Sequence, residues 1–204
     1  QRTAIGFRDY MLMLLLYSTA VRINELLTLK IHNITMDCSK PHMIVIGKGR
    51  KKRPIPLLAK PVQYLKKYLT EYHPNPDNAE ALLFNSKSKG IYTPMSAENV
   101  NKMLKRYAKM AHDKCSDVPL DLHAHQFRHA KASHWLENGM NIAQISYLLG
   151  HENIQTTMVY LDITTEQEEK ALETLEDENQ RIVGKKWKSA KGKMELEAFS
   201  GLYK

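Results

Sequence analysis

The stretch Leu148-Leu-Gly-His-Glu-Asn-Ile-Gln-Thr-Thr-Met-Val-Tyr160 decides how the chain is read. Gly150 is a natural helix C-cap, because glycine enters the left-handed region without a Cβ penalty. His151 follows it, a new helical pattern starts near Asn153, and Tyr160 falls about two turns further on. The plain reading is that His151 closes a turn and Tyr160 fills a core. The sharper reading is that both side chains converge on one reacting phosphate. The residues upstream decide between the two.

Working backwards, 141–149 and 125–137 read as helices. Ser96 is a plausible N-cap for a helix reaching about 112, with Val100, Met103, Leu104 and Tyr107 as its apolar stripe. Residues 59–72 read as a helix ended by His-Pro-Asn-Pro, and 81–84 as a short strand. His42 to Ile46 and Lys52 to Leu57 read as a hairpin whose turn is bracketed by Gly47 and Gly49. Pro54 and Pro56 confine the second strand to an edge. Residues 5–18 are apolar nearly all round and predict a buried helix, followed by a second helix over 23–29. The chain is therefore expected to be mainly α with a small antiparallel sheet, an α+β class.

The totals narrow the class further. At 204 residues and 43% hydrophobic composition, the chain can build one good core, and it lacks the character of a disordered protein. Its longest apolar run, Met11 to Tyr17, is far too short to cross a bilayer. Cys38 and Cys115 show no paired spacing, which fits a reducing, cytoplasmic setting. The net charge of +8 is unevenly spread. Seven acids (Glu166, Glu168, Glu169, Glu173, Glu176, Asp177 and Glu178) crowd 165–180 beside Lys170, so the remainder is strongly basic. A basic body points to a polyanionic partner, with double-stranded DNA first. The acidic stretch reads as a final helix over 165–181, ahead of a basic tail.

Four clusters carry candidate chemistry. Arg22, in Ser-Thr-Ala-Val-Arg-Ile-Asn-Glu-Leu-Leu, either pairs with Glu25 or grips a phosphate with its guanidinium fork. Lys48, in Gly-Lys-Gly-Arg-Lys-Lys-Arg-Pro, sits on a basic hairpin that is either solvated or laid along DNA. His125 and Arg128 share a helix face at i, i+3. His125 and His129 have the i, i+4 spacing of zinc-protease helices, but Gln126 stands where that motif needs glutamate, so no metal is expected. His151 and Tyr160 complete the set. Together these groups answer one need, because a tyrosine attacking a phosphodiester builds negative charge that arginines and a histidine can stabilise. The phenol, ordinarily of pKa near 10, needs a base or a strong field, and the leaving oxygen needs an acid. Such chemistry calls for no metal and no other cofactor.

At this point the four clusters, in this order and at these spacings, resemble the boxes of the tyrosine recombinase (phage integrase) family. Thr-Ala-Val-Arg22-Ile-Asn-Glu-Leu is similar to its first arginine box and Gly-Lys48-Gly to its hairpin lysine. His125-Gln-Phe-Arg128 is similar to its HxxR box, and Leu-Leu-Gly-His151 with Tyr160 to its last box and nucleophile. The resemblance covers about 5–163. It implies a catalytic domain over 1–164, with the apolar stripe Leu172, Leu175 and Ile182 of the 165–204 segment either docking on a neighbouring protomer or packing in cis. An N-terminal DNA-binding domain and the first catalytic-domain helix are expected to be absent from this chain. It implies strand cleavage through a 3′-phosphotyrosyl bond, and assembly as a tetramer on DNA. Arg22, Arg128 and His151 would hold the phosphate, His125 would serve in acid–base work, Lys48 would protonate the leaving oxygen and Tyr160 would attack. Arg50, Lys51, Lys52, Arg53 and Lys131 would contact the DNA. The setting would be bacterial or phage-encoded. One departure is Ala20, where the family often has glycine.

Three other readings compete. Asn141 to Tyr160 also fits a helix-turn-helix regulator, which leaves Arg22, Lys48 and the HxxR box unexplained. A type IB topoisomerase shares the chemistry, but the chain is short for one. An inactive, DNA-binding homologue would be expected to have lost polar groups that are all present here.

Overall fold

A computed structural model describes residues 4–73, 79–88 and 91–160. The expected helix over 165–181 and the docking stripe lie outside them. Six named helices run in chain order: α1 (Ala4–Thr19), α2 (Ile23–Leu27), α3 (Ala59–Tyr72), α4 (Ala97–His112), α5 (Ala124–Glu137) and α6 (Ile142–Leu149). A further helical stretch covers 155–160. Strands β1 (Ile34–Thr35), β2 (His42–Ile46) and β3 (Lys52–Pro56) form an antiparallel sheet in that spatial order. The mainly α class with a small antiparallel sheet is what the structure has.

The all-round apolar character of α1 has a direct cause. Its Met11, Leu12, Leu15 and Leu16 are fully buried, and it packs against both α3 and α5. Each such side chain contributes roughly 1.5–3 kcal/mol by leaving water. The same core takes Leu65 and Tyr68 from α3, Met43 and Val45 from β2, and Val100 and Leu104 from α4. Asp9 is buried beside it, held by Arg8 at 2.7 Å and by the Tyr107 hydroxyl at 3.0 Å. A buried carboxylate is tolerated only when paired in this way.

Pro54 and Pro56 lie on an edge strand, because β3 pairs only with β2 within its sheet, Ile44 facing Pro54 across the pair. Ser96 caps α4, its hydroxyl accepting from the Asn99 amide at 3.1 Å. The expected strand over 81–84 is corrected. Leu82 makes only an isolated bridge to Lys30, and the strands are β4 (Asn85–Ser88) and β5 (Ile91–Pro94), an antiparallel hairpin. That hairpin is mostly polar, so no apolar alternation marks it.

A second, smaller apolar cluster matters more for the site. Ala20, Ala132, Ile145, Leu149 and Tyr160 pack together, joining the end of α1, α5, α6 and the 155–160 helix. It brings residues from the two ends of the described chain to one place.

Candidate active site

Arg22 is placed by the turn between α1 and α2. Ala20 takes a left-handed φ of +52°, a conformation that costs a non-glycine residue roughly 1–2 kcal/mol. This explains why glycine suits the position. The turn aims the Ala20 carbonyl at Arg128, whose Nη1 donates to it at 2.8 Å. Arg22 then caps α2, its amide donating to Glu25 Oε2 at 2.9 Å. Its Nη1 donates to Glu25 Oε1 at 3.3 Å and to the Leu149 carbonyl at 3.4 Å. The choice between a Glu25 pair and a free fork is thus resolved as a shared arrangement. Arg22 touches Glu25 with one guanidinium nitrogen, and its side chain stays 40% exposed.

Arg128 arrives on α5, buried, with Nη2 donating to the same Leu149 carbonyl at 2.7 Å. One peptide oxygen at the end of α6 therefore holds both arginines. Burial, and next the Arg22 charge, push the Arg128 guanidinium down to about 10. Among the described residues no carboxylate lies within ion-pair distance of it.

His151 follows Gly150, which caps α6 at a φ of +65° as the sequence predicts. The ring is oriented by Thr157, fully buried, whose Oγ1 lies 2.7 Å from His151 Nδ1. Burial first, then Arg128, Arg22 and Arg53, push His151 down to about 4. At that value it is neutral at pH 7, since burial and the cations beside it both disfavour the charged ring.

Arg22, Lys48, His125 and Arg128 line one cleft of about 600 Å³. Lys48 is exposed on the loop between β2 and β3. His125 is lowered by burial, and next by its neighbour His129. Those two rings meet edge to face at 4.5 Å. Tyr160 is not on the cleft wall. It is 3% exposed, within the smaller apolar cluster, with its hydroxyl 2.9 Å from His129 Nδ1. Of the two readings of Tyr160, the packed ring is what the structure has, and the hydroxyl is directed at His129. Burial raises its pKa above the ordinary phenol value, against the Arg128 charge that lowers it.

The basic run splits. Arg50, Lys51 and Lys52 are exposed, as a DNA contact requires. Arg53 is corrected: it is buried and turned inward. Its Nη1 and Nη2 bond Glu25 at 2.9 and 2.7 Å, and its Nε donates to the Leu148 carbonyl at 3.1 Å. With all three nitrogens engaged inside the fold and the side chain only 9% exposed, it is not presented to DNA. Burial works to raise Glu25, but the Arg53 hydrogen bond and the Arg22 amide bring it below the ordinary carboxylate range. Lys131 sits apart from the cleft residues, its ammonium 5.0 Å from the Tyr17 ring centre and 5.5 Å from that of Trp135.

Sequence reasoning missed two groups here. Arg53 with Glu25 is a strut joining β3, α2 and the end of α6. His129 is the partner of the Tyr160 hydroxyl. Among the described residues no three His, Cys, Asp or Glu side chains come together as a metal set.

Two guanidiniums, an imidazole and an ammonium around one opening form a preorganised site for a phosphate-like anion. Its fold is that of a tyrosine recombinase catalytic domain. It superposes on the XerH site-specific recombinase bound to difH substrate in a pre-cleavage complex, with a TM-score of 0.63 and 26% identity, covering 78% of this chain and 44% of that one. The phage integrase family matches residues 1–167, and the chain belongs to that family. It is 34% identical over 171 residues to tyrosine recombinase XerA of Pyrococcus horikoshii, covering 83% of this chain and 55% of the relative. It is 34% identical over 163 residues to tyrosine recombinase XerC of Staphylococcus saprophyticus, covering 79% and 51%. The chain thus spans about half the length of the curated relatives it matches.

Proposed function

We propose that this chain carries the catalytic domain of a site-specific DNA recombinase that cuts and rejoins strands through Tyr160. The observation that carries the reading is the shared Leu149 carbonyl. Through it, arginines 106 positions apart (128 − 22) are aimed from one point, beside a histidine two residues further on.

The roles follow from position. Arg22 and Arg128 hold the non-bridging oxygens of the scissile phosphate, and His151 adds a third donor. The Tyr160 oxygen attacks phosphorus as the bond to the 5′ oxygen breaks. Lys48, on its exposed loop, gives that oxygen a proton. The product is a 3′-phosphotyrosyl bond and a free 5′-hydroxyl, which a partner strand's hydroxyl reverses. His125 shares the acid–base work. Arg50, Lys51 and Lys52 run along the DNA backbone.

The family further supports a catalytic domain over 1–164, action as a tetramer on double-stranded DNA, and a C-terminal segment docking on a neighbour. The same reading puts the protein in the cytoplasm of a bacterial or phage-infected cell. No described helix is long and apolar enough to cross a membrane.

Covalent trapping tests this. A nicked duplex bearing a site selected by the protein from a random library should yield a denaturation-resistant adduct, formed in EDTA and lost in Tyr160→Phe with binding retained. An adduct that Tyr160→Phe still forms overturns the assignment.

A further inference from the structure

We propose that His129 takes the proton of the Tyr160 hydroxyl as that oxygen attacks. The proposal deepens the recombinase reading and rests on Tyr160 being the nucleophile.

Several observations converge on it. The hydroxyl lies 2.9 Å from His129 Nδ1, within reach for direct transfer. The Tyr160 ring is packed against Ala20, Ala132, Ile145 and Leu149, which leaves the hydroxyl as the end that faces the histidines. His129 itself is exposed at the surface of α5, so the proton it receives can pass to water. Its ring stands edge to face with His125, a residue of the cleft wall, so two adjacent histidines connect the hydroxyl to the cleft.

The 2.9 Å hydroxyl contact is to His129, one turn beyond His125 on α5. Lys48 is committed to the leaving oxygen. His151 has Nδ1 on Thr157 and lies among Arg22, Arg53 and Arg128.

The step balances. The Tyr160 O–H bond breaks as Nδ1–H forms, the phenolate oxygen bonds phosphorus, and the bond to the 5′ oxygen breaks. His129 requires a neutral ring with its proton on Nε2. The charged and titratable groups around it are Arg128 and His125 from α5, His123 just ahead of it, and Tyr160 from the 155–160 helix. Partial burial first, and then Arg128 and His123, lower its pKa below the ordinary histidine value.

The test is His129→Asn, whose side-chain oxygen replaces Nδ1 as an acceptor without titrating. Adduct formation on the nicked duplex should slow by about 10²–10⁴-fold with DNA affinity unchanged. The remaining rate should climb with hydroxide above pH 8. Added imidazole should restore the rate of His129→Gly, since the site opens to solvent. A rate within about threefold of wild type for His129→Asn across pH 6–9, with the adduct still mapping to Tyr160, overturns the role of His129 alone. Imidazole failing to rescue a folded, DNA-binding His129→Gly would also count against it. An adduct mapping to another residue instead overturns the tyrosine assignment. The two failures are therefore distinguishable.

Discussion

The β2–β3 hairpin has a tip and a base made of the same residues with opposite fates. At the tip, Lys48, Arg50, Lys51 and Lys52 are solvated. One residue further, Arg53 is buried and locked to Glu25 at 2.7 Å. The difference is the pleat. Along β3 the side chains alternate, so Lys52, Pro54 and Pro56 face out while Arg53 and Ile55 face the core. An arginine on the inward side needs a carboxylate, and Glu25, three residues beyond Arg22, supplies it. A basic run is thus two devices: an exposed arm suited to a polyanion, and a strut that sets where the arginines and His151 stand.

Breaking the strut should have the largest effect. Arg53→Ala leaves Glu25 buried without its main partner, which costs about 3–5 kcal/mol. For a chain of this size that lowers Tm by roughly 10 °C in calorimetry. Replacing both partners, Arg53→Met with Glu25→Leu, should recover most of that stability, because matched apolar groups avoid the stranded charge. It should not recover cleavage, since Arg22 loses its carboxylate anchor. Full activity in that double variant would reduce the strut to packing.

Gly150→Ala comes next. The residue sits at a φ of +65°, and an added Cβ would lie 2.8 Å from the Arg53 guanidinium carbon. The backbone strain alone is about 1–2 kcal/mol, and the buried guanidinium has to yield as well. The measurable loss is about 2 kcal/mol or more in urea unfolding. Cleavage should fall with it, because the Leu149 carbonyl and His151 move together. A variant as stable as wild type would show that the strut has slack.

The same contrast appears in how much could be read from the chain. The four boxes were legible because each couples a residue type to a fixed local spacing. Arg53 was misread as a DNA contact although its parity with Ile55 was available: the basic run masked the period of two. Glu25 was noticed only as a partner for Arg22, since a contact between residues 28 apart leaves no local trace. His129 follows Arg128 directly, yet its role depends on Tyr160, 31 residues away. The β4–β5 hairpin had no apolar alternation to announce it.

A pH measurement separates base from tip in a different way. His151, at about 4 in the fold, is well below the ordinary histidine value. Between about pH 6.5 and 4 the unfolded chain binds a proton that the folded chain refuses. Stability should therefore fall as pH drops through that window. Phosphate or sulfate bound among the arginines should raise His151 and take up a proton, so the anion's stabilising effect should grow toward pH 5. His151→Gln should flatten both trends. Substitutions at the exposed tip lysines should not alter them. An anion effect independent of pH would place the anion away from His151.

The smallest effect on stability belongs to Lys51→Ala. Lys51 is 74% exposed, and its contact with Glu152, 3.3 Å long, is a surface pair. Such a pair contributes about 0–1 kcal/mol, so Tm should barely move. DNA binding should respond differently. A lysine that neutralises one phosphate adds about 0.9 to the slope of log affinity against log salt concentration. Lys51→Ala should therefore lower that slope by about one, uniformly across DNA sequences, because a backbone contact carries no sequence information. An unchanged slope with wild-type Tm would mean that Lys51 stays on Glu152 when DNA is bound. The arm would then start at Lys52, and the boundary between tip and strut would be a single residue wide.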